Sequence, residues 1–140
     1  MSERPSFKSI YMRLALMMAE RSTCSRLNVG CVITSADFRY VYGVGYNGNA
    51  TGLPNSCDRE VPGDCGCIHA EENAIINCTV SRSVPKVVFT THLPCEYCTK
   101  KLINLGGVQH LCYHTDYRIK RGLELLSTVG ITYEQLGVEP

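Results

Sequence analysis

The chain has 140 residues, 44% of them hydrophobic and 19% charged, and a formal net charge of +1. That size predicts one domain over 1–140, with room for a single sheet covered by helices and none for two cores. Near-balanced charge, with no basic run beyond Arg118, Lys120 and Arg121, argues against a broad phosphate-backbone footprint and a stable nucleic-acid partner.

Phe7, Ile10, Tyr11, Leu14, Met17 and Met18 recur at helical spacing, predicting an opening helix to about Arg21 with that stripe in the core. Val29, Cys31 and Ile33 alternate, as do Phe38, Tyr40, Tyr42, Val44 and Tyr46. With Ser35-Ala36-Asp37 between them they read as a β-hairpin. Residues 47–68 carry Gly, Pro, Asn, Asp and Cys without periodicity, and so long a loop is usually functional or held by a ligand. A helix follows through Ala70, Ala74, Ile75 and Cys78, then a short strand at Lys86–Thr91. Pro94 suits a first helical turn; Leu102, Ile103 and Leu105 continue that helix until Gly106-Gly107 ends it. Val108–Tyr113 reads as a strand, Ile119, Leu123 and Leu126 as a helix, and Ile131–Gln135 as a short final strand. The order predicts an α/β fold, a mixed sheet between helices with its third to fifth strands parallel.

Nine cysteines would suggest a disulfide scaffold in a secreted chain. Met1-Ser2-Glu3-Arg4 offers no apolar signal core and no apolar run matches a membrane span, so the expected compartment is the cytoplasm, or host cytoplasm for a viral source. Reduced thiols fit there, as metal ligands and as small core residues such as Cys31, Cys78 and Cys112.

His69-Ala70-Glu71 and Pro94-Cys95-Glu96-Tyr97-Cys98 carry the chemistry. The imidazole of His69 and the thiolates of Cys95 and Cys98 can hold Zn²⁺ and leave its fourth position open for water, as catalytic zinc requires. Both motifs fall at predicted helix N-termini, where partial positive charge favours thiolate. Glu71 is near enough to exchange protons with that water without ligating the metal; a solvent-facing role describes Glu72 better. H-x-E followed by P-C-x-x-C is the order used by zinc-dependent nucleobase deaminases.

On these motifs, and on Arg21-Ser22-Thr23-Cys24, Val29-Gly30 and Gly45-Tyr46-Asn47-Gly48, the chain resembles the deoxycytidylate (dCMP) deaminases of the cytidine deaminase superfamily. The resemblance implies a three-layer α/β/α cytidine deaminase-like fold with a five-stranded sheet. It implies hydrolysis of dCMP to dUMP and ammonia, feeding thymidylate synthesis. It also implies a homo-oligomer, commonly a hexamer, activated by dCTP and inhibited by dTTP, with Mg²⁺ bound to the effector. Asn47 would meet the deoxyribose 3′-hydroxyl, with Ala70 and Tyr117 against the substrate. Asn47 is also a common turn residue, and Tyr117 reads equally as ordinary packing.

A monophosphate needs a cation, and Arg26 is the first candidate, ahead of Arg21 and Arg118; each reads equally as an exposed arginine. Cys24, Cys57, Cys65 and Cys67 are left over. Related deaminases sometimes hold a second, structural zinc with such cysteines, and free thiols are the alternative. The loop through Asn49 and Gly52 follows Asn47 and is the candidate effector contact, or a plain surface turn. His92, His110 and His114 stand off the motif spacing and read as structural or surface residues. Two other functions compete. A tRNA adenosine deaminase shares both motifs but calls for a basic face. A deaminase-like zinc module for assembly or competence has no need of Glu71.

Overall fold

The computed structural model describes residues 4–62, 64–117 and 119–137, so Arg118 lies outside the described residues. The elements follow the expected order: α1 (Phe7–Ala19), β1 (Gly30–Ser35), β2 (Val41–Tyr46), α2 (Ala70–Ile76), β3 (Lys86–His92), α3 (Glu96–Leu105), β4 (Val108–Thr115), α4 (Arg121–Thr128) and β5 (Thr132–Gln135). The sheet runs β2-β1-β3-β4-β5. In it β1 is antiparallel to both β2 and β3, while β3, β4 and β5 are parallel. Alternate side chains feed two cores. Val32, Val87, Phe89 and Cys112 pack with Tyr11, Met12 and Ala15 of α1. Cys31, Ile33, Val88, Leu111 and Tyr113 pack with Ala70, Ala74, Leu102 and Leu126 of α2, α3 and α4. Three layers result. Because β1 lies inside the sheet with helices on both faces, every one of its residues is buried.

Two expectations need correction. In α1, Phe7, Ile10 and Met17 are 56%, 40% and 63% exposed. The buried face is Tyr11, Met12, Ala15 and Ala19. A Cβ on Gly30 would fall 1.9 Å from the Ala15 carbonyl oxygen, so the helix lies too near β1 for long side chains at the contact. In the hairpin, β2 starts at Val41, and Phe38 and Tyr40 belong to the turn. Asp37 Oδ1 accepts from Ser35 Oγ at 2.8 Å and from the Arg39 amide at 3.1 Å, closing that turn with a side chain. Phe38 takes a left-handed φ of 65°, and its ring stacks among Phe7, Tyr11 and Phe89.

Packing also seats the functional helices. A Cβ on Gly45 would meet the Ala70 oxygen and the Ala74 nitrogen, each at 2.4 Å, so the first turn of α2 rests directly on β2. Pro94, expected in the first turn of α3, instead stands two residues before Glu96 and just ahead of the N-cap Cys95. Fully buried Lys86 fastens the approach to β3, its Nζ donating to the carbonyls of Ser81, Val84 and Gly106 at 2.9, 2.8 and 2.8 Å. No described helix is long and apolar enough to cross a membrane.

Candidate active site

The N-cap residues of α2 and α3 are His69 and Cys95. Glu72 Oε1 accepts from the His69 amide at 3.0 Å and the same carboxylate pairs with Lys101, so Glu72 clamps the turn rather than standing free in solvent. Cys95 Sγ accepts from the Cys98 amide at 3.5 Å. The two helix starts thus bring His69 Nδ1 to 3.2 Å from Cys98 Sγ and 3.8 Å from Cys95 Sγ. A tetrahedral zinc with Zn–N near 2.0 Å and Zn–S near 2.3 Å has N···S edges of about 3.6 Å, so the donors fit the ion.

Protonation follows from that crowding. The Cys98 thiol beside it holds Cys95 down to about 4, while Cys98 itself is pushed up by the same bond and by burial. A divalent cation beside the pair would favour both as thiolates. His69 is raised, chiefly by its bond with Cys95. Glu71 is 5% exposed, and burial lifts its carboxyl to about 7.

His69, Ala70, Glu71 and Cys95 line a cavity of about 320 Å³. Of the residues expected at the substrate, Arg26, Asn47 and Tyr117 line it as well. Arg21 is elsewhere, its guanidinium 6.0 Å from the centre of the Tyr46 ring. Asn47 is more committed than a free substrate contact would be. Its Oδ1 accepts from the Val29 amide at 2.8 Å and its Nδ2 donates to the Leu27 carbonyl at 2.5 Å. It latches the Leu27–Val29 wall and keeps one N–H to spare. Asn49 closes its own loop, donating to Ser56 O and Asp58 Oδ1 at 3.2 and 2.8 Å. Gly52 has nothing within 4 Å of where a Cβ would sit.

The leftover cysteines converge. Cys57 Sγ lies 3.6 Å from Cys24 Sγ, Cys65 Sγ 3.8 Å from Cys24, and Cys67 Sγ 3.8 Å from Cys57. All four sulfurs lie within 4.8 Å of one another. A ZnS₄ tetrahedron with bonds of about 2.3 Å has S···S edges of about 3.8 Å. Hydrogen bonding from Ser25 lowers the Cys57 thiol to about 6. Cys24, Cys65 and Cys67 also border the cavity.

In a third group, His110, Cys112 and Glu134, the carboxylate is already paired with Lys8. Lys8 Nζ and His110 Nε2 both lie 2.7 Å from Glu134 Oε2, and the ammonium stands where a metal would need that oxygen. The cavity further includes Val29 of the Val29-Gly30 motif, and Leu27, Pro62, His92 and Leu93, which no motif marked. His92, read above as structural or surface, borders this cavity, directly before Leu93-Pro94-Cys95.

Fold and donor geometry together define a zinc deaminase scaffold, and the comparisons agree. Residues 5–115 match the family model for the cytidine and deoxycytidylate deaminase zinc-binding region, and the chain belongs to that family. The deoxycytidylate deaminase of Schizosaccharomyces pombe is 32% identical, over 94% of this chain and 44% of its own length. ComE operon protein 2 of Bacillus subtilis is 35% identical, over 98% of this chain and 75% of its own length. The crystal structure of dCMP deaminase from the cyanophage S-TIM5, in complex with dCMP and dUMP, is 29% identical with a TM-score of 0.82, over 96% of this chain and 100% of that one. The chain spans less than half the length of the two yeast deoxycytidylate deaminases it matches, 44% and 45%.

Proposed function

We propose that this chain hydrolyses dCMP to dUMP and ammonia as one deaminase domain over 1–140. The observation that carries the reading is the meeting of His69, Cys95 and Cys98 beside buried Glu71 at one cavity. Its support is the likeness to a dCMP deaminase with dCMP and dUMP bound. Zinc held by the three donors would lower the pKa of a coordinated water to about 7, making a nucleophile available at neutral pH. Glu71 takes a proton from the attacking water, delivers it to ring N3, and returns a proton to the departing amine. The C4–O bond forms as the C4=N3 double bond opens to a tetrahedral centre. The exocyclic C4–N bond then breaks as the C4 hydroxyl gives up its proton, through Glu71 to the amine, and becomes the carbonyl, so water is the only co-reactant. Burial, which lifts the Glu71 carboxyl towards neutrality, suits a group that must both accept and give a proton. Arg26 at the cavity takes the phosphate, Tyr117 and Ala70 flank the base, and the spare N–H of Asn47 reaches the sugar 3′-hydroxyl.

The finer expectations belong to the same proposal. Cys24, Cys57, Cys65 and Cys67 hold a second, structural zinc, supported by four sulfurs at tetrahedral spacing. The product feeds thymidylate synthesis in the cytoplasm. The chain works as a homo-oligomer, a hexamer, and exposed Ile76 and Tyr97, at 71% and 73%, give it apolar surface for contact. Activation by dCTP and inhibition by dTTP, with Mg²⁺ on the effector, act through the loop at Asn49 and Gly52.

Incubation with dCMP, dCTP, deoxycytidine and tRNA tests the reading, following cytosine absorbance and inosine formation. Loss of the cytosine band with dCMP, at a kcat/KM far above deoxycytidine, is the expected result. Equal efficiency for the two would make this a nucleoside enzyme, inosine in tRNA an adenosine deaminase, and no turnover a zinc assembly module. Arg26→Ala should lower dCMP efficiency alone.

A further inference from the structure

One histidine borders the cavity and belongs to neither cysteine cluster. His92 ends β3, is half-buried, and lines the cavity with Glu71 and Tyr117. Its Nδ1 lies 3.0 Å from Thr91 Oγ1, and that hydroxyl lies 3.1 Å from the Gly30 amide nitrogen. Thr91 is 1% exposed. An amide N–H only donates, so Gly30 occupies a lone pair of Thr91 Oγ1. Among the described residues the Thr91 proton then has one acceptor in reach, His92 Nδ1. Were Nδ1 protonated, that hydroxyl proton would be buried with no acceptor, at a cost comparable to a lost hydrogen bond. The satisfied arrangement runs from the Gly30 N–H to Thr91 Oγ1, and from the Thr91 O–H to His92 Nδ1.

This relay leaves the imidazole neutral with its proton on Nε2. The backbone is held as well, since Thr90 Oγ1 donates to the His92 carbonyl at 2.9 Å. Burial, helped by the facing His114, keeps the ring below its ordinary 6.5. Nε2 finds no protein partner among the described residues, in a side chain that borders the cavity. A neutral N–H fixed at a pocket wall pairs with an acceptor and rejects a donor at that place.

We infer that His92 is a specificity-determining contact: its Nε2–H is a pre-set hydrogen-bond donor to an oxygen of the bound nucleotide, either the ring carbonyl or a phosphate oxygen. The inference rests on the dCMP reading of the cavity. Thr91 is its positioning residue, because it selects the tautomer without reaching the substrate.

Two measurements on the zinc-loaded full chain test it. Ring-¹⁵N NMR of histidine-labelled protein, with His92 assigned by its absence in His92→Asn, should show a proton on Nε2 and none on Nδ1 at pH 7. Thr91→Ser should keep that tautomer and Thr91→Val should lose it. A proton on Nδ1 in the parent chain overturns the relay, whatever the activity. In the kinetic measurement, His92→Ala should lower kcat/KM for dCMP by about three- to tenfold, the worth of one neutral hydrogen bond. His92→Gln, whose amide N–H reaches towards the Nε2 position, should recover most of the loss, and His92→Asn should not. A loss confined to dCMP marks the phosphate as acceptor; an equal loss with deoxycytidine marks the ring carbonyl. Unchanged kcat/KM in His92→Ala overturns the contact. A parent chain inactive on dCMP removes the deaminase reading and the contact with it, while the NMR result still decides the relay.

Discussion

Two sulfur-bearing clusters border one cavity, and they are held in different ways. His69, Cys95 and Cys98 stand at the starts of two helices seated against the sheet, α2 by its close approach to β2 at Gly45. Cys24, Cys57, Cys65 and Cys67 come from irregular chain. Their scaffold is thin: a bridge from Gly48 to Ile68, and bonds of 2.7 and 3.1 Å from the Asp58 and Arg59 amides to the Cys65 carbonyl. Three donors leave one tetrahedral position open beside a buried carboxyl; four leave none. On the proposed reading the rigid cluster serves chemistry on a bound molecule, and the loop cluster would order a wall that has little secondary structure of its own.

Substitution at the first cluster should have the largest effect. Glu71→Gln should keep full zinc content and lower kcat by at least about 10²–10⁴-fold, the usual reach of general acid–base catalysis. His69→Ala should lose metal and activity together, by elemental analysis and the dCMP assay. Full zinc in His69→Ala would break the ligand assignment.

The loop cluster should respond differently. Cys65→Ser should reduce zinc from about two per chain to about one and raise KM more than it lowers kcat, because Cys65 belongs to the wall. Limited proteolysis should then cut within 57–67. If the first zinc leaves as well, the clusters are not independent.

Asn47 ties the wall to the sheet, so Asn47→Ala tests the coupling between them. It leaves the Val29 amide without its 2.8 Å acceptor, which should cost about 1–3 kcal/mol of stability by denaturant titration. A variant as stable as the parent would mean that water replaces the latch.

The smallest effect is a control outside both clusters. The Lys8 hydrogen bond holds the Glu134 carboxyl below its ordinary 4.5, against burial and with help from His110. A depressed folded pKa gives stability that is present above the ordinary value and lost as pH falls through the folded one. Glu134→Gln should therefore be less stable than the parent at pH 7 by no more than about 1 kcal/mol, since the pair is partly exposed. The gap should close on acidification below 4.5, and at pH 7 the variant and the parent should hold the same zinc.

Much of the architecture was legible in the residues alone. The nine elements among the described residues and their order follow from periodicity and punctuation, which are local signals, and the parallel run of β3 to β5 follows from that order. The meeting of His69, Cys95 and Cys98 was legible too, since metal ligation constrains residue type and spacing within short motifs. What periodicity left undecided was phase and partnership. Only packing against Gly30 turned α1 onto its alanines and left Phe7 and Met17 in solvent. Only the folded loop brought Cys24 to sulfurs more than thirty residues away. Asn47 and His92 carry no motif that announces their partners. Their roles are decided by which backbone groups lie within about 3 Å, and such distances exist only once distant segments have closed on one another.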